Sequence, residues 1–349
     1  MLSKVLKEDI DYIINDRVID WNRFKNSTLV ITGATGLIGT ILVRTLSEAN
    51  SKYNLNARII IIARGARKGN VLADQCGAIF VQHDICLPLQ IQGSADYIFH
   101  CASITKSSDM LQKPVDVIET CYLGTKNILD FAKAKNVKSL VNLSSMEVYG
   151  TTENMKNLGE ADLGYVDLSN PRNSYPEAKR LCENLCTGYF TQYNVPVKTA
   201  RLCRTFGAGM ENDPGDNRVA CQFVRKAIAN EDIVLHTKGK SISNCCYTAD
   251  VIKGLLVILQ KGENGQSYNI ANTEASGSIY KMAEIIADRI CGGRIKVVID
   301  PPKDLKSMGY APDTLSVINS DKLQKLGWEP RFGLEDMLKR IILDWQEIL

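Results

Sequence analysis

A tyrosine and a lysine four residues apart are the first candidates for chemistry. The pattern Tyr175-x-x-x-Lys179 places both side chains on one face of a helix, one turn apart. A nearby ammonium stabilises a tyrosinate and is expected to lower the pKa of the phenol from about 10. Such a phenol can exchange a proton with a hydroxyl or carbonyl group. Ser145, at the end of a predicted strand, is expected to hydrogen-bond the same substrate oxygen.

A glycine-rich turn between the first predicted strand and the first predicted helix is the second candidate site. Glycines at such a junction permit a tight turn and let backbone amides approach a pyrophosphate, and the helix N-terminus adds partial positive charge. The junction therefore predicts a dinucleotide site, with a purely structural glycine turn as the alternative. The residues expected to contact the dinucleotide here are Gly33, Thr35, Gly36, Leu37, Ile38 and Gly39.

The residue after the second predicted strand bears on the type of dinucleotide. NAD enzymes commonly have a carboxylate there, which binds the ribose hydroxyls and repels a 2′-phosphate. This chain has Arg64 instead, followed by Arg67 and Lys68. A guanidinium attracts phosphate, so the position favours NADP. The alternative is NAD bound without the acid, with the three basic residues on a solvated loop. Residues after the third and fourth predicted strands are expected to border the same cofactor: Asp84, Ile85, Cys101, Ala102 and Ser103.

Strands and helices that alternate along the chain must position these groups. Buried β-rich runs predict strands at Thr28–Thr32, Arg58–Ala63, Ile79–His83, Asp96–Cys101, Ser139–Leu143 and Val197–Leu202. Longer periodic stretches predict helices at Leu37–Ala49, Val115–Ala134, Pro176–Gln192, Val219–Asn230, Ile279–Cys291 and Gly333–Glu347. This alternation is typical of an α/β protein with a Rossmann-type doubly wound parallel sheet.

The same pattern suggests a division of the chain. Residues 1–27 are expected to form an amphipathic helical extension that packs on the body of the protein. Residues 28–202 form the predicted dinucleotide-binding domain, with returns to its sheet near 248–272. The pattern becomes irregular after Leu202, and residues 203–247 and 273–349 are assigned to a smaller C-terminal substrate-binding lobe.

Composition narrows the class of protein. The 349 residues are 45% hydrophobic and 23% charged, which is typical of a globular chain. The net charge of +3, without a long run of one sign, argues against nucleic acid as a partner. Charges interrupt the first 20 residues, which argues against a signal peptide or a membrane role. The 11 cysteines include no Cys-x-x-Cys pair and there are three histidines, so we expect no metal site and reduced thiols in a cytoplasmic protein.

Several short segments occur in the order found in a known family. They are His100-Cys101-Ala102-Ser103, Gly124–Leu129, Ser144–Gly150, Arg201…Phe206-Gly207, Tyr247–Asp250, Tyr268–Ile270 and Leu326-Gly327-Trp328. Together with the glycine turn and the Tyr175…Lys179 pair, they resemble the extended short-chain dehydrogenases/reductases, the NAD-dependent epimerase/dehydratase group that modifies nucleotide sugars. The resemblance implies an NAD(P)-dependent enzyme that makes a transient 4-keto sugar for epimerisation, elimination or decarboxylation. It also implies a homodimer formed through the helices Val115–Ala134 and Pro176–Gln192.

Two other functions stay open at this point. An NADPH-dependent reductase of a keto nucleotide sugar is favoured by Arg64. A non-catalytic Rossmann protein that senses the cofactor is disfavoured by the intact set of Ser145, Tyr175 and Lys179.

The resemblance implies a catalytic role for Glu147, which corresponds to the glutamate of UDP-glucuronate decarboxylases and nucleotide-glucose 4,6-dehydratases. Dehydratases carry an aspartic acid just before it, and this chain has Met146, which cannot transfer a proton. Dehydration is therefore disfavoured. The alternative role for Glu147 is structural, with its side chain bonded to the backbone.

The resemblance also suggests residues that contact the substrate. Arg204 stands where the family usually has an asparagine, and Ser243 stands where an arginine commonly binds a diphosphate or a carboxylate. Arg204 is therefore expected to supply the missing charge. His236 aligns with a position beside the nucleotide base, with an ordinary loop histidine as the alternative. The residues expected to bind the substrate are Ser103, Arg204, Arg218 and His236.

Overall fold

The computed structural model describes residues 2–152, 156–301 and 315–348. The strands in these ranges are β1 (Thr28–Thr32), β2 (Arg58–Ala63), β3 (Ile79–Gln82), β4 (Tyr97–His100), β5 (Ser139–Ser145), β6 (Lys156–Leu158), β7 (Val197–Leu202), β8 (Arg204–Phe206), β9 (Ile233–Leu235), β10 (Ile242–Tyr247), β11 (Ser267–Ile270), β12 (Asn272–Ser278), β13 (Val297–Ile299) and β14 (Leu315–Ile318).

The helices in the same ranges are α1 (Lys4–Ile14), α2 (Leu37–Lys52), α3 (Ala66–Cys76), α4 (Ser107–Gln112), α5 (Pro114–Lys135), α6 (Ser174–Tyr193), α7 (Val219–Ala229), α8 (Thr248–Lys261), α9 (Ile279–Glu284), α10 (Asp321–Gln324) and α11 (Leu334–Ile348). A π-helical segment, Ile285–Ile290, continues α9. Short 3-10 turns occur at Trp21–Phe24, Met146–Tyr149 and Pro171–Asn173.

The main sheet has seven strands in the order β11-β7-β5-β4-β1-β2-β3 within the described ranges, and every neighbouring pair is parallel. Alternate residues of β1 face opposite sides, so Leu29 packs in the core that contains α2, and Val30 packs in the core that contains α5. Both faces are covered, which explains why β1 is buried along its whole length. The predicted Rossmann-type α/β fold is confirmed.

Strand order reverses between β1 and β4. From β1 the chain moves outward through β2 and β3, and it then crosses over to β4 and moves outward in the other direction through β5, β7 and β11. Ligands of open α/β sheets bind outside the carboxyl ends of the strands at such a reversal. The glycine turn follows β1 and Ser103 follows β4, so the topology brings both to this point.

The structure differs from the predicted elements in two places. A helix, α3, begins at Ala66, so the alternative of a solvated loop at Arg64–Lys68 is wrong from that residue onward. Gly69 lets α3 approach the sheet, because a Cβ there would lie 2.1 Å from Cε2 of Phe80. After Leu202, sequence patterns predicted helices and irregular chain, whereas much of this region forms strands. These strands are three to seven residues long, which is too short for a clear period.

The later strands build a second sheet beside the first. Its order is β12-β10-β14-β6, and β8 pairs with β10. β13 and β9 pair separately. β6 lies in residues that the sequence assigned to the dinucleotide-binding domain, yet it pairs with β14. The division into a cofactor domain and a substrate-binding lobe remains a prediction, with residues 302–314 of the second part outside the described ranges.

Helix α1 packs on the body of the protein along an apolar stripe, as its spacing predicts. Ser3 caps the helix by accepting a 3.1 Å hydrogen bond from the Leu6 amide. The buried apolar residues of α1 lie against α2, α8 and α11. They are Val5, Leu6, Ile10, Ile13 and Ile14.

A buried carboxylate on α1 connects the two ends of the chain. Asp9 is 1% exposed and accepts hydrogen bonds from the Tyr247 hydroxyl at 2.6 Å and from Arg340 Nη2 at 2.7 Å. Burial raises the pKa of Asp9 to about 6, because desolvation outweighs the opposing effects of Tyr247 and Arg340. The ionised carboxylate is therefore held at a cost, and its partners on β10 and α11 limit that cost.

The described part of the chain contains free cysteines and no grouping of three or more His, Cys, Asp or Glu side chains that could hold a metal ion. No helix in the described ranges is long and apolar enough to cross a membrane.

We expect Asp9→Asn to change how stability depends on pH. Native Asp9 has a pKa of about 6 against 3.8 for the unfolded chain, so the native state holds one extra proton between these values. Wild type should therefore lose up to about 3 kcal/mol of unfolding free energy relative to Asp9→Asn as pH rises from about 4 to about 6. Urea unfolding of both proteins across this range measures the difference, and parallel curves would contradict it.

Candidate active site

A single cleft of about 810 Å³ runs along the carboxyl edge of the main sheet. The glycine turn lines one part of it, and the predicted tyrosine, lysine and serine line another. The sequence-predicted residues that line this cleft are Gly33, Thr35, Gly36, Leu37, Ile38, Gly39, Arg64, Asp84, Ile85, Cys101, Ala102, Ser103, Ser145, Tyr175, Lys179 and Arg218. Glu147, Arg204 and His236 are not among its lining residues.

The glycine turn is closely packed against the end of β4. Gly33 has φ +63°, and a Cβ there would lie 2.6 Å from the Ala102 amide nitrogen. A Cβ on Gly39 would lie 2.3 Å from the Gly33 carbonyl oxygen. No side chain caps α2, whose N-cap is Gly36, so its first amides are left for a ligand. This narrow cradle of amides at a helix N-terminus fits the pyrophosphate of a dinucleotide.

The far end of the cleft is basic. Arg64 is exposed at the end of β2, Gly65 is the N-cap of α3 without a side-chain cap, and Lys68 lies on the first turn of that helix. The Lys68 ammonium is 2.6 Å from a carboxylate oxygen of Glu211. Two cations and a helix N-terminus therefore meet here, and one of the cations already has an acidic partner.

Behind the cleft, a buried, uncharged histidine connects the ends of two strands of the main sheet. His100 ends β4, and its Nδ1 is 2.7 Å from the Thr32 hydroxyl at the end of β1. Burial, aided by the charge of Lys179, lowers the pKa of His100 to about 3. Burial raises the pKa of the adjacent Cys101 thiol to about 12. The strand ends behind the cleft are therefore neutral near pH 7.

Tyr175 and Lys179 lie one turn apart on α6, as their spacing predicts. Both are buried, and the Lys179 ammonium donates a 2.8 Å hydrogen bond to the Leu143 carbonyl of β5. It lies 5.7 Å from the centre of the Tyr175 ring. The hydrogen bond between Lys179 and Leu143 connects α6 to β5, the strand that ends in Ser145.

The expectation that the pKa of Tyr175 is lowered is wrong, because the pKa is raised overall. Burial raises the pKa of Tyr175 and is the largest effect, and the negative charge of Glu147 adds to it. The Lys179 charge and a hydrogen bond from Ser145 oppose the increase without overcoming it. Burial also disfavours the charged form of Lys179, but the neighbouring Tyr175 and Cys121 leave its pKa raised overall. The free chain therefore holds a neutral phenol beside an ammonium.

Glu147 lies on the 3-10 turn directly after Ser145. Its carboxylate accepts two hydrogen bonds from Arg172, at 2.9 and 3.0 Å, and its backbone amide donates to the Ser145 hydroxyl at 3.2 Å. The alternative of a side chain bonded to the backbone is therefore wrong, because the partner is a guanidinium. Sequence reasoning did not identify Arg172.

The candidate substrate residues divide into two pairs. Ser103 and Arg218 line the cleft, and Arg218 is ion-paired with Asp216. Arg204 has an exposed side chain on β8, and neighbouring residues of a strand face opposite sides, so Thr205 lines the cleft in its place. His236 is exposed, with Nδ1 3.1 Å from the Asp300 carbonyl oxygen. The structure therefore does not bring Arg204 and His236 into the cleft with the other site residues, and their role in substrate binding stays a prediction.

Several lining residues were missed from the sequence. Thr105 and Lys106 follow Ser103 in the same loop, and extending the strand-end argument by three residues would have found them. Thr120 on α5 and Thr205 on β8 carry no such signal. Ser243 is buried on β10, and its hydroxyl has no hydrogen-bond partner.

Comparison with known proteins agrees with this architecture. The family model for the NAD dependent epimerase/dehydratase family matches residues 29–271. UDP-glucuronic acid decarboxylase 1 of Xenopus tropicalis is 29% identical over 317 residues, covering 90% of this chain and 71% of that protein.

Two solved structures have the same fold. UDP-glucose 4-epimerase of Thermotoga maritima, solved with UDP-glucose, has a TM-score of 0.76 at 19% identity and covers 92% of this chain and 99% of its own. dTDP-glucose 4,6-dehydratase of Bacillus anthracis, solved with NAD, has a TM-score of 0.71 at 19% identity and covers 92% and 96%. With a family model that spans well over half of its length, this chain belongs to the NAD-dependent epimerase/dehydratase family.

Proposed function

We propose that this protein is an NAD(P)-dependent enzyme that oxidises a hydroxyl group of a nucleotide sugar to a transient 4-keto sugar. The observation that carries the proposal is the position of Ser145, Tyr175 and Lys179 in the same cleft as the glycine turn. Relatives named UDP-glucuronic acid decarboxylases support a nucleotide sugar as substrate. Cofactor and substrate would then meet beside Tyr175.

The residues that would hold the cofactor lie along the cleft. The amides of Leu37 and Ile38, on the first turn of α2, would bind the pyrophosphate, and Arg64 would face the adenosine ribose. A nicotinamide cofactor supplies a two-electron acceptor for the carbon that loses hydrogen. The chain itself contributes the proton transfer. Tyr175 accepts the proton of the sugar hydroxyl and returns it when the ketone is reduced.

Ser145 and Lys179 prepare Tyr175 for this exchange. The Ser145 oxygen accepts the Glu147 amide, and its one hydroxyl proton bonds Tyr175 in the free chain. This proton would turn to the reacting sugar oxygen when substrate binds. The Leu143 carbonyl holds the Lys179 ammonium below the phenol, where its charge favours the tyrosinate. The buried position of Tyr175 limits the access of water to the proton.

The negative groups of the substrate require cations on the open side of the cleft. Arg218 and Lys106 both line the cleft and are exposed. We assign diphosphate binding to this pair, in place of Arg204. Arg218 would have to exchange its Asp216 partner for the substrate, which makes its contribution smaller than that of an unpaired arginine.

A second candidate function is the NADPH-dependent reduction of a keto nucleotide sugar. It is favoured by the two cations at the ribose end, Arg64 and Lys68, which suit a 2′-phosphate. In that reaction Tyr175 donates its proton to the carbonyl oxygen. Released oxidised cofactor would distinguish this function from a closed cycle.

Assembly and location are also proposals. Exposed apolar residues on α5 and α6, among them Val115, Ile118 and Leu181, support a homodimer formed through these two helices. The free cysteines support a cytoplasmic location.

Tyr175→Phe tests the proposed function directly. Removing the phenol oxygen deletes the proton acceptor, so we expect turnover to fall by at least about a hundredfold while NAD binding changes little. Conversion of UDP-glucuronate and UDP-glucose is followed by liquid chromatography coupled to mass spectrometry, because an epimer has the same mass as its substrate. Calorimetry measures NAD binding. Tyr165→Phe, at an exposed tyrosine of the same chain, is the matched control. Equal turnover of wild type and Tyr175→Phe would sink the mechanism.

Arg64→Ala tests the preference for NADP. If Arg64 binds a 2′-phosphate, its loss should weaken NADP binding by about 10- to 100-fold and leave NAD binding nearly unchanged. Arg67→Ala is the matched control, because Arg67 does not line the cleft. Affinities for both cofactors can be measured by fluorescence titration. Equal losses for both cofactors, or tighter binding of NAD by wild type, would contradict the preference.

Arg218→Ala and Arg204→Ala test which arginine binds the substrate. Because only the first of these two side chains lines the cleft, Arg218→Ala should raise KM for UDP-glucuronate about tenfold, whereas Arg204→Ala should leave it unchanged. Cofactor affinity should be the same in both variants. A raised KM in Arg204→Ala alone would restore the original expectation.

A further inference from the structure

An ion pair connects the turn that follows Ser145 to the turn that precedes Tyr175. Arg172 lies in the 3-10 turn Pro171–Asn173, and α6 begins at the next residue. Its two terminal nitrogens donate to the two carboxylate oxygens of Glu147, at 2.9 and 3.0 Å. A bidentate pair of this kind fixes orientation as well as distance. The side chains are 28% and 36% exposed, so solvent screens the pair only in part.

A second arginine makes a similar connection one turn after Tyr175. Arg180 donates from Nε to the Val148 carbonyl at 2.8 Å and from Nη2 to the Gly164 carbonyl at 2.7 Å. The turn Met146–Tyr149 is therefore bonded to Arg172, just before α6, and to Arg180 on α6, so that the two contacts lie on either side of Tyr175 in the sequence. These contacts tie the turn that follows Ser145 to the helix that carries Tyr175.

Glu147 also acts on Tyr175 through its charge. The groups whose charge or hydrogen bond acts on the phenol are Lys179 on α6, Glu147 on the turn, Ser145 on β5 and Cys121 on α5. Of these, Glu147 and, to a smaller extent, Cys121 disfavour the tyrosinate. A guanidinium bound to both oxygens of the Glu147 carboxylate compensates part of the charge.

We propose that Arg172 is a positioning residue for Tyr175: by binding both carboxylate oxygens of Glu147 it keeps this carboxylate out of proton transfer, compensates part of its charge and holds the turn after Ser145 against the start of α6. The inference rests on the proposed function, because it concerns the proton exchange at Tyr175. It gives Glu147 a role as the acceptor for a guanidinium and leaves Tyr175 as the acid and base.

The test uses four variants of the full chain: Arg172→Gln, Arg172→Lys, Glu147→Gln and the double variant Arg172→Gln/Glu147→Gln. Oxidation requires Tyr175 to accept a proton, so kcat/KM rises with pH as the phenol ionises. Arg172→Gln leaves the Glu147 charge uncompensated and should move this rise upward by about one pH unit. Glu147→Gln should move it downward. The double variant should return it close to the wild-type position, since neither charge remains.

The positioning role of Arg172 leads to a separate expectation for the reaction rates. Arg172→Gln should lower the plateau of kcat about tenfold with little change in KM, because the substrate contacts remain while the geometry loosens. Arg172→Lys retains the charge and should restore the pH position, with only part of kcat recovered, since an ammonium cannot bind both oxygens in one plane. Arg289→Gln is the matched control, because Arg289 forms an exposed pair with Glu335.

Rates are measured in single turnovers with NAD and either UDP-glucuronate or UDP-glucose, from the absorbance of the reduced nicotinamide. A readout that needs no turnover is the NMR signal of tyrosine labelled with ¹³C at Cζ, with Tyr175→Phe identifying the resonance. In Arg172→Gln this signal should begin to shift at a higher pH than in wild type, and in Glu147→Gln at a lower pH.

Each outcome decides a different claim. Unchanged pH positions in a folded Arg172→Gln variant would overturn the inference and leave the proposed function intact. Loss of turnover at every pH in Glu147→Gln would make Glu147 itself the acid or base and would also overturn it. If wild type oxidises neither nucleotide sugar, the proposed function fails for these substrates, and the Tyr175 signal still decides whether Arg172 acts on the phenol.

Discussion

The whole site depends on the close approach of two strand ends at the reversal of the parallel sheet. The turn after β1 lies against the chain that leaves β4, and Gly33 comes so near the Ala102 amide that a Cβ would overlap it. His100 and Thr32 complete the contact with a 2.7 Å hydrogen bond between the two strands. Because the strands are parallel, everything that follows their carboxyl ends faces the same cleft. A side chain at this approach would displace the floor of the cleft together with the turn.

Around this approach, electrostatics and burial act in opposite directions. Burial protects Tyr175 and Lys179 from water, and the same burial raises the pKa of the phenol that must ionise. The protein opposes the cost with one ammonium and one hydroxyl, both held by backbone groups of β5 and the turn that follows it. The Glu147–Arg172 pair belongs to the same balance, because an uncompensated carboxylate beside the phenol would raise its pKa further.

The second sheet and the terminal helices mainly stabilise the fold around the cleft and do not carry the reacting groups. β8 pairs with β10 and so delivers Thr205 to the cleft, while α1 and α11 meet at the buried Asp9. A carboxylate that is 1% exposed costs stability unless its hydrogen bonds are complete, and Tyr247 and Arg340 supply them from two different elements. Asp9 thereby joins α1 to α11, and its partner Tyr247 lies on β10, the strand that pairs with β8.

The sequence by itself determined the Rossmann-type sheet, the glycine turn and the Tyr175–Lys179 pair. These features arise from local periodicity or from spacing within one helix, so no knowledge of distant contacts is needed. Only the tertiary structure decided that Thr205 and not Arg204 faces the cleft, that Arg172 binds Glu147, and that burial outweighs Lys179 at the phenol. Each of these depends on which elements pack together: strand alternation needs a pairing partner, an ion pair between residues 147 and 172 needs two turns brought together, and desolvation depends on the whole surrounding core.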